Sequence, residues 1–309
     1  MTILNGIVPP VLTPLDPSGA VDVESLDRLV DHLLAAGVDG LFVLGSSGQV
    51  AYLTDTERDL VVERVVARAA GRVPVVAGTP ELTARRVVER AQAAERCGAD
   101  AVVVTAPLYA LNDAAEVAEH FRMIARGVSV PVIAYDVPVR VHSKLGVDLL
   151  LGLAREGVIA GVKDSSGDDV GFRILVRANE AAGRPLRITT GHEVVVDGML
   201  LLGADGAVPG LANVDPAGYV RLWQAAQASD WVAARAEQDR LARLFDIVFV
   251  PRGRSGDAGG IGAFKSALVS LGVLGSATMP APLAPLSAAD ASAIEDILAE
   301  VGLLGAEAR

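Results

Sequence analysis

Lys163 closes the otherwise apolar stretch Val158–Lys163. Desolvation disfavours a charged amine, and a neutral amine in a dry pocket can attack a ketone and form an imine. A solvated lysine at a strand end is the competing reading. Tyr135 closes a second apolar run, Val130–Tyr135. A phenol there would shuttle protons during imine formation and carbon–carbon bond making, or would simply be a core tyrosine. Gly45-Ser46-Ser47-Gly48 offers two hydroxyls and several backbone N–H groups, which suits a carboxylate; an ordinary Gly/Ser turn looks the same. Arg140, five residues past Tyr135 and beyond Pro138, presents a fork that matches a second carboxylate, or a surface ion pair. His142 and His192 fall near the rim of such a pocket, whereas His32 and His120 fall within helical stretches and read as structural.

Something must bring these residues together. The chain alternates short apolar runs with longer amphipathic segments. The runs are Gly6–Thr13, Gly40–Leu44, Val73–Ala77, Ala101–Thr105, Val130–Tyr135, Val158–Lys163, Leu186–Thr190 and Gly206–Val208. They are rich in Val and Ile, and most are too short for helices, so they predict strands buried on both faces. Between them, Val23, Leu26, Leu29, Val30, Leu33 and Leu34 share one helical face. Thr54 and Glu57 have capping-box spacing, and Asn112 or Asp113 can cap the fourth helix. Eight strand–helix units favour a closed parallel (β/α)8 TIM barrel over an open doubly wound sheet. The rhythm changes after about Ala228. Helical segments near Trp231–Phe249, Ile261–Leu271 and Ser287–Val301 follow, separated by the Gly/Pro-rich stretches Pro251–Gly260 and Met279–Pro285. The expected organisation is a barrel over 1–228 and a three-helix extension over 229–309. Chemistry in such a barrel gathers at the C-terminal ends of the strands, where every candidate above lies.

Composition narrows the function. Hydrophobic residues make up 51% of the 309 and aromatics only 4%, so the core is built from Ala, Val and Leu, as in barrels packed with aliphatic side chains. The net charge of −11 argues against a nucleic-acid partner. A single cysteine, Cys97, forms no internal disulfide, and four scattered histidines argue against a zinc-dependent aldolase. No metal is expected. No GxGxxG follows a strand and no Walker A sequence occurs, so no nucleotide cofactor is indicated. Met1–Pro10 lacks the charge and apolar order of a signal peptide, and no run reaches the ~20 apolar residues of a membrane span. The cytoplasm is the default location.

Gly45-Ser46-Ser47-Gly48, Tyr135-x-x-Pro138 and Gly161-Val162-Lys163-Asp164, in that order, resemble the dihydrodipicolinate synthase/N-acetylneuraminate lyase family. The likeness runs from Pro10-Val11-Leu12-Thr13-Pro14 to Gly262-Ala263-Phe264-Lys265 and Pro280–Leu286. The resemblance implies a class I lyase without a separate cofactor, in which Lys163 holds pyruvate as a covalent imine. Tyr135 would relay protons with Ser46, and Ser47 would hold the pyruvate carboxylate. Tyr109 would reach across a dimer interface, and the Val208 carbonyl would line the site. Members are usually homotetramers.

The departures concern the second substrate. Gln49 stands where the family usually has Glu, Asp136 where the synthase branch has Asn, and Val141-His142 where it has Thr-Gly. An acid usual after the strand-seven glycine reads as replaced by His192. Arg140 matches the synthase branch and predicts condensation of pyruvate with a small carboxylate-bearing aldehyde, with His142 and His192 as further substrate contacts. Lys163-Asp164-Ser165-Ser166-Gly167-Asp168 looks instead like the sugar-acid branch and predicts an aldolase or dehydratase of a 2-keto-3-deoxy sugar acid. Gln49 leaves open a third reading, a pyruvate-binding or regulatory barrel without catalysis, against which Lys163 and Tyr135 stand.

Overall fold

Short Val- and Ala-rich segments form eight strands: β1 (Gly6–Ile7), β2 (Leu41–Val43), β3 (Val75–Gly78), β4 (Ala101–Val104), β5 (Val132–Asp136), β6 (Gly161–Asp164), β7 (Arg187–Thr190) and β8 (Gly206–Ala207). This computed structural model describes residues 3–305; the first two residues of the expected barrel segment and the last four of the expected extension lie outside them. All the pairings are parallel, in the order β1-β8-β7-β6-β5-β4-β3-β2. The ring closes between the first segment and β2 through a bridge from Pro10 to Phe42. There the Phe42 N–H donates to the Pro9 carbonyl and the Val11 N–H to the Phe42 carbonyl. Eight parallel strands thus make a (β/α)8 barrel.

The first strand is shorter than its apolar run because Pro9 and Pro10 have no N–H for the ladder. β5 and β6 each run one residue further than expected, to Asp136 and Asp164.

Helices return the chain between strands: α1 (Val23–Ala35), α2 (Asp55–Ala69), α3 (Ala84–Arg96), α4 (Ala114–Gly127), α5 (Pro138–Val141), α6 (Val147–Arg155), α7 (Asp169–Ala181), α8 (Val196–Leu202) and α9 (Pro216–Gln227). Leu26, Leu29, Val30 and Leu33 are the buried face of α1. Thr54 and Glu57 form the capping box of α2, and Asp113 caps α4. Each fully buried Val or Leu stabilises the fold by about 1.5–3 kcal/mol relative to exposure. The strands bury small aliphatic side chains: Val43, Val76, Val103, Ala134 and Val162 are all at most 3% exposed.

The C-terminal helices are α10 (Trp231–Phe245), α11 (Gly262–Ser270) and α12 (Ala288–Glu300). α10 ends earlier than its apolar pattern, in a 3₁₀ turn over Asp246–Phe249. α11 is preceded by a π-helical turn, Asp257–Ile261, inside the stretch that read as a separator. Among the described residues no helix is long and apolar enough to cross a membrane.

Candidate active site

Register sets the centre of the site. Tyr135 on β5 pairs with Lys163 on β6, which pairs with Thr189 on β7. Side chains alternate across a strand, so Tyr135 and Lys163 face the same side, while the adjacent Asp136 and Asp164 face the other. That side is the barrel interior. The Lys163 amine lies 4.2 Å from the centre of the Tyr135 ring and 4.8 Å from that of Phe42 on β2, across the barrel. The two rings meet edge to face at 6.4 Å. Lys163 is 5% exposed and Tyr135 8%. Burial pushes the Tyr135 phenol up, but Lys163 beside it and the hydrogen-bonding side chains of Ser165, Lys163 and Ser46 outweigh this and hold it below 10. A phenol so held exchanges protons readily with neighbours.

On the outer face, Asp136 and Asp164 are buried and share Lys144. Asp136 also accepts the Leu145 N–H, and Asp164 the Ser166 N–H and hydroxyl. Burial raises the Asp136 carboxyl, with Lys144 opposing. These contacts tie together the strand ends that carry Tyr135 and Lys163.

The Gly45–Gly48 turn follows β2. Leu44 before it and Gln49 after it both adopt φ 56°, a conformation that costs non-glycine residues energy and collects at functional sites. Gly78 makes room for the turn: a Cβ there would stand 2.2 Å from the Leu44 carbonyl oxygen. Gln49 is buried, with its amide nitrogen on Met279 and its side-chain oxygen without a hydrogen bond.

A cavity of about 350 Å³ opens onto this centre. Phe42, Ser46 and Tyr135 line its inner part, and Arg58, Glu81, Arg140 and Asp257 also stand in its wall. Arg140 does reach the cavity, but its fork is already held by both oxygens of Asp257. Glu81 accepts from Arg58 and Arg86, each at 2.9 Å.

Other expected residues lie elsewhere. His142 and His192 are not in the cavity wall. His142 ends α5 in a left-handed conformation that leaves it exposed. The His192 ring stands 3.0 Å from Asp169 at the start of α7. Tyr109 is 89% exposed and does not touch the cavity of its own chain. Val208 is buried after β8, with its N–H on Thr190. Ser47 lies by Gly210, where an added Cβ would be 3.4 Å from the Ser47 hydroxyl and 3.0 Å from a carboxylate oxygen of Glu193.

Glu193 is the acid that the sequence reading passed over in favour of His192, one residue earlier. Its carboxylate accepts the Leu211 N–H. Burial pushes it up to about 7, against the Leu211 and Gly210 N–H groups and the Lys163 charge. A lone Glu two residues beyond Gly191, the glycine that follows β7, was the available signal. Asp257 had none, since it lies 117 residues from Arg140.

The Dihydrodipicolinate synthetase family matches residues 3–301, and the chain belongs to that family. A 4-hydroxy-tetrahydrodipicolinate synthase from Nitrosospira multiformis is 33% identical over 301 residues, which cover 97% of this chain and 96% of that one. A DapA-like lyase of Halobacterium salinarum, whose function is uncharacterized, is 34% identical over 97% and 95%. Among solved structures, YagE, a prophage protein of the dihydrodipicolinic acid synthase family from E. coli K12 in complex with pyruvate, superposes with a TM-score of 0.91. It is 29% identical and covers 98% of this chain and 100% of its own. The chloride-inhibited dihydrodipicolinate synthase from Acinetobacter baumannii complexed with pyruvate gives 0.88 at 28% identity, over 98% and 100%. The chain is a lyase of this family.

Proposed function

We propose that this protein captures pyruvate as an imine on Lys163 and joins it to, or releases it from, an aldehyde, with no separate cofactor. The observation that carries the reading is the register pair Tyr135–Lys163, with the amine 4.2 Å from the phenol ring. The Lys163 amine attacks the keto carbon of pyruvate and water leaves as the imine forms. Tyr135 passes protons to the departing oxygen, with Ser46 as its neighbour in the relay. The iminium carbon then draws electrons from the adjacent methyl, which loses a proton to become an enamine. The enamine carbon attacks the aldehyde, and water finally frees the product and restores Lys163. Ser47 and its neighbouring backbone N–H groups hold the pyruvate carboxylate, and the Val208 carbonyl closes the site.

Arg140 alone favours a carboxylate-bearing aldehyde, as in a dihydrodipicolinate synthase. Its pairing with Asp257 favours the other reading, an aldolase or dehydratase of a 2-keto-3-deoxy sugar acid. The test is to incubate pyruvate with a panel of charged and hydroxylated aldehydes and identify products by mass spectrometry. Products that require Lys163 support the reading; turnover that survives Lys163→Ala contradicts it.

The working form in this reading is a cytoplasmic homotetramer. Tyr109 and Leu111, 89% and 92% exposed, are large apolar groups of the kind that a partner subunit covers, and Tyr109 would complete the neighbouring site. Light scattering at assay concentration should report an oligomer. An active monomer contradicts both the assembly and the role of Tyr109.

A further inference from the structure

The aldehyde end of the cavity contains an element that the barrel does not supply. Asp257 belongs to the π-helical turn before α11, a local irregularity that in helices often marks functional sites. The turn is pinned in place. The Ser255 hydroxyl accepts the Ala258 N–H, the Ser255 carbonyl accepts the Gly259 N–H, and Arg254 donates to the Pro285 carbonyl. From there Asp257 reaches the barrel wall and takes the Arg140 fork with both oxygens.

The charges in the cavity wall therefore cancel. Arg58 and Arg140 are its cations, Glu81 and Asp257 its anions, and each cation is in contact with one of the acids. An incoming carboxylate must either displace Asp257 from Arg140 or crowd in beside it, and in both cases two anions share one cation. A hydroxyl meets no such conflict. It donates to a free lone pair of Asp257 and accepts from an unused N–H of Arg140, which has five.

We infer that Asp257 is a specificity-determining residue, which by occupying the Arg140 fork turns the site against carboxylate-bearing aldehydes and towards uncharged, hydroxyl-bearing ones. The inference rests on the reading of Lys163 as the pyruvate imine, so the two are tested side by side. Succinic semialdehyde and 4-hydroxybutanal differ only in carboxylate against hydroxymethyl. The parent protein should give the higher kcat/KM with 4-hydroxybutanal. Asp257→Asn keeps the shape and removes the charge, and should raise the acid-to-neutral ratio of kcat/KM by about 10–100-fold, the worth of a freed charge-assisted contact. Adding Arg140→Gln to Asp257→Asn should return the ratio to the parent value. Arg140→Gln alone leaves the Asp257 charge without its partner and should lower the ratio below the parent value.

Borohydride trapping of pyruvate on Lys163 is run on each protein. If the parent fails to trap, the imine reading falls and the inference falls with it. If the parent traps, a ratio unmoved by Asp257→Asn overturns the inference alone. So does a ratio that rises in Arg140→Gln, or no turnover of either aldehyde by any of these proteins.

Discussion

Lys163 in the barrel mouth and Lys265 in the C-terminal helices are both withdrawn from water, at 5% and 0% exposure. Lys163 lies one residue before the end of β6, between two aromatic rings and beside a phenol that is itself in contact with Ser46 and Ser165. Lys265 lies within α11 and donates to one partner, the Thr278 carbonyl, at 3.0 Å. Burial alone pushes its amine down to about 7. A depressed amine taken by itself points to Lys265, yet the hydrogen-bond partner it has among the described residues is a backbone carbonyl, and it is not in the wall of the cavity that Tyr135 lines. Burial readies an amine; the groups around it decide whether it reacts.

The largest effect should come from removing Lys163. Lys163→Ala should lower turnover roughly 10⁴-fold or more, as loss of a covalent nucleophile does, and Lys265→Met should leave pyruvate trapping intact. Equal losses in both would dissolve the contrast between the two regions. Product formation by liquid chromatography reads it. Tyr135→Phe follows, with a loss of roughly 10²–10⁴-fold and a folded protein by circular dichroism. Near-parental rates would mean that another group carries the proton.

Lys265 should reveal itself in stability instead. Its folded value of about 7 lies below the ordinary 10.5. Between those values the unfolded chain binds a proton that the folded chain refuses, so stability rises with pH from about 7 to 10.5. The full penalty is present below 7. Lys265→Met should therefore be more stable than the parent at pH 7, by about 2–4 kcal/mol, and this gain should shrink as pH approaches 10.5. Denaturant titrations across that range measure it; a gain independent of pH would show that the charge is not its source. The smallest effect belongs to Thr54→Ala at the capping box of α2, with about 1 kcal/mol lost in the same titrations and pyruvate trapping unaffected.

The inner half of the site was legible in the sequence because each part is a local anomaly. Lys163 and Tyr135 are polar residues that end apolar runs, and the serines sit in a short turn between glycines. Parallel strands in register then bring them together. The outer half was not legible, because Arg140 finds its partner across 117 positions, in a glycine-rich stretch that read as a separator. His142 and His192 lie outside the cavity wall because distance past a strand end does not specify direction. A left-handed cap leaves one exposed, and Asp169 holds the other. The same ambiguity hid Glu193, one residue beyond His192.

The most direct test is to add pyruvate, reduce with borohydride and map the modified peptide. The account predicts a reduced pyruvyl group on Lys163 and none in Lys163→Ala. An adduct on Lys265 or Lys144 alone, or none at all, would contradict it.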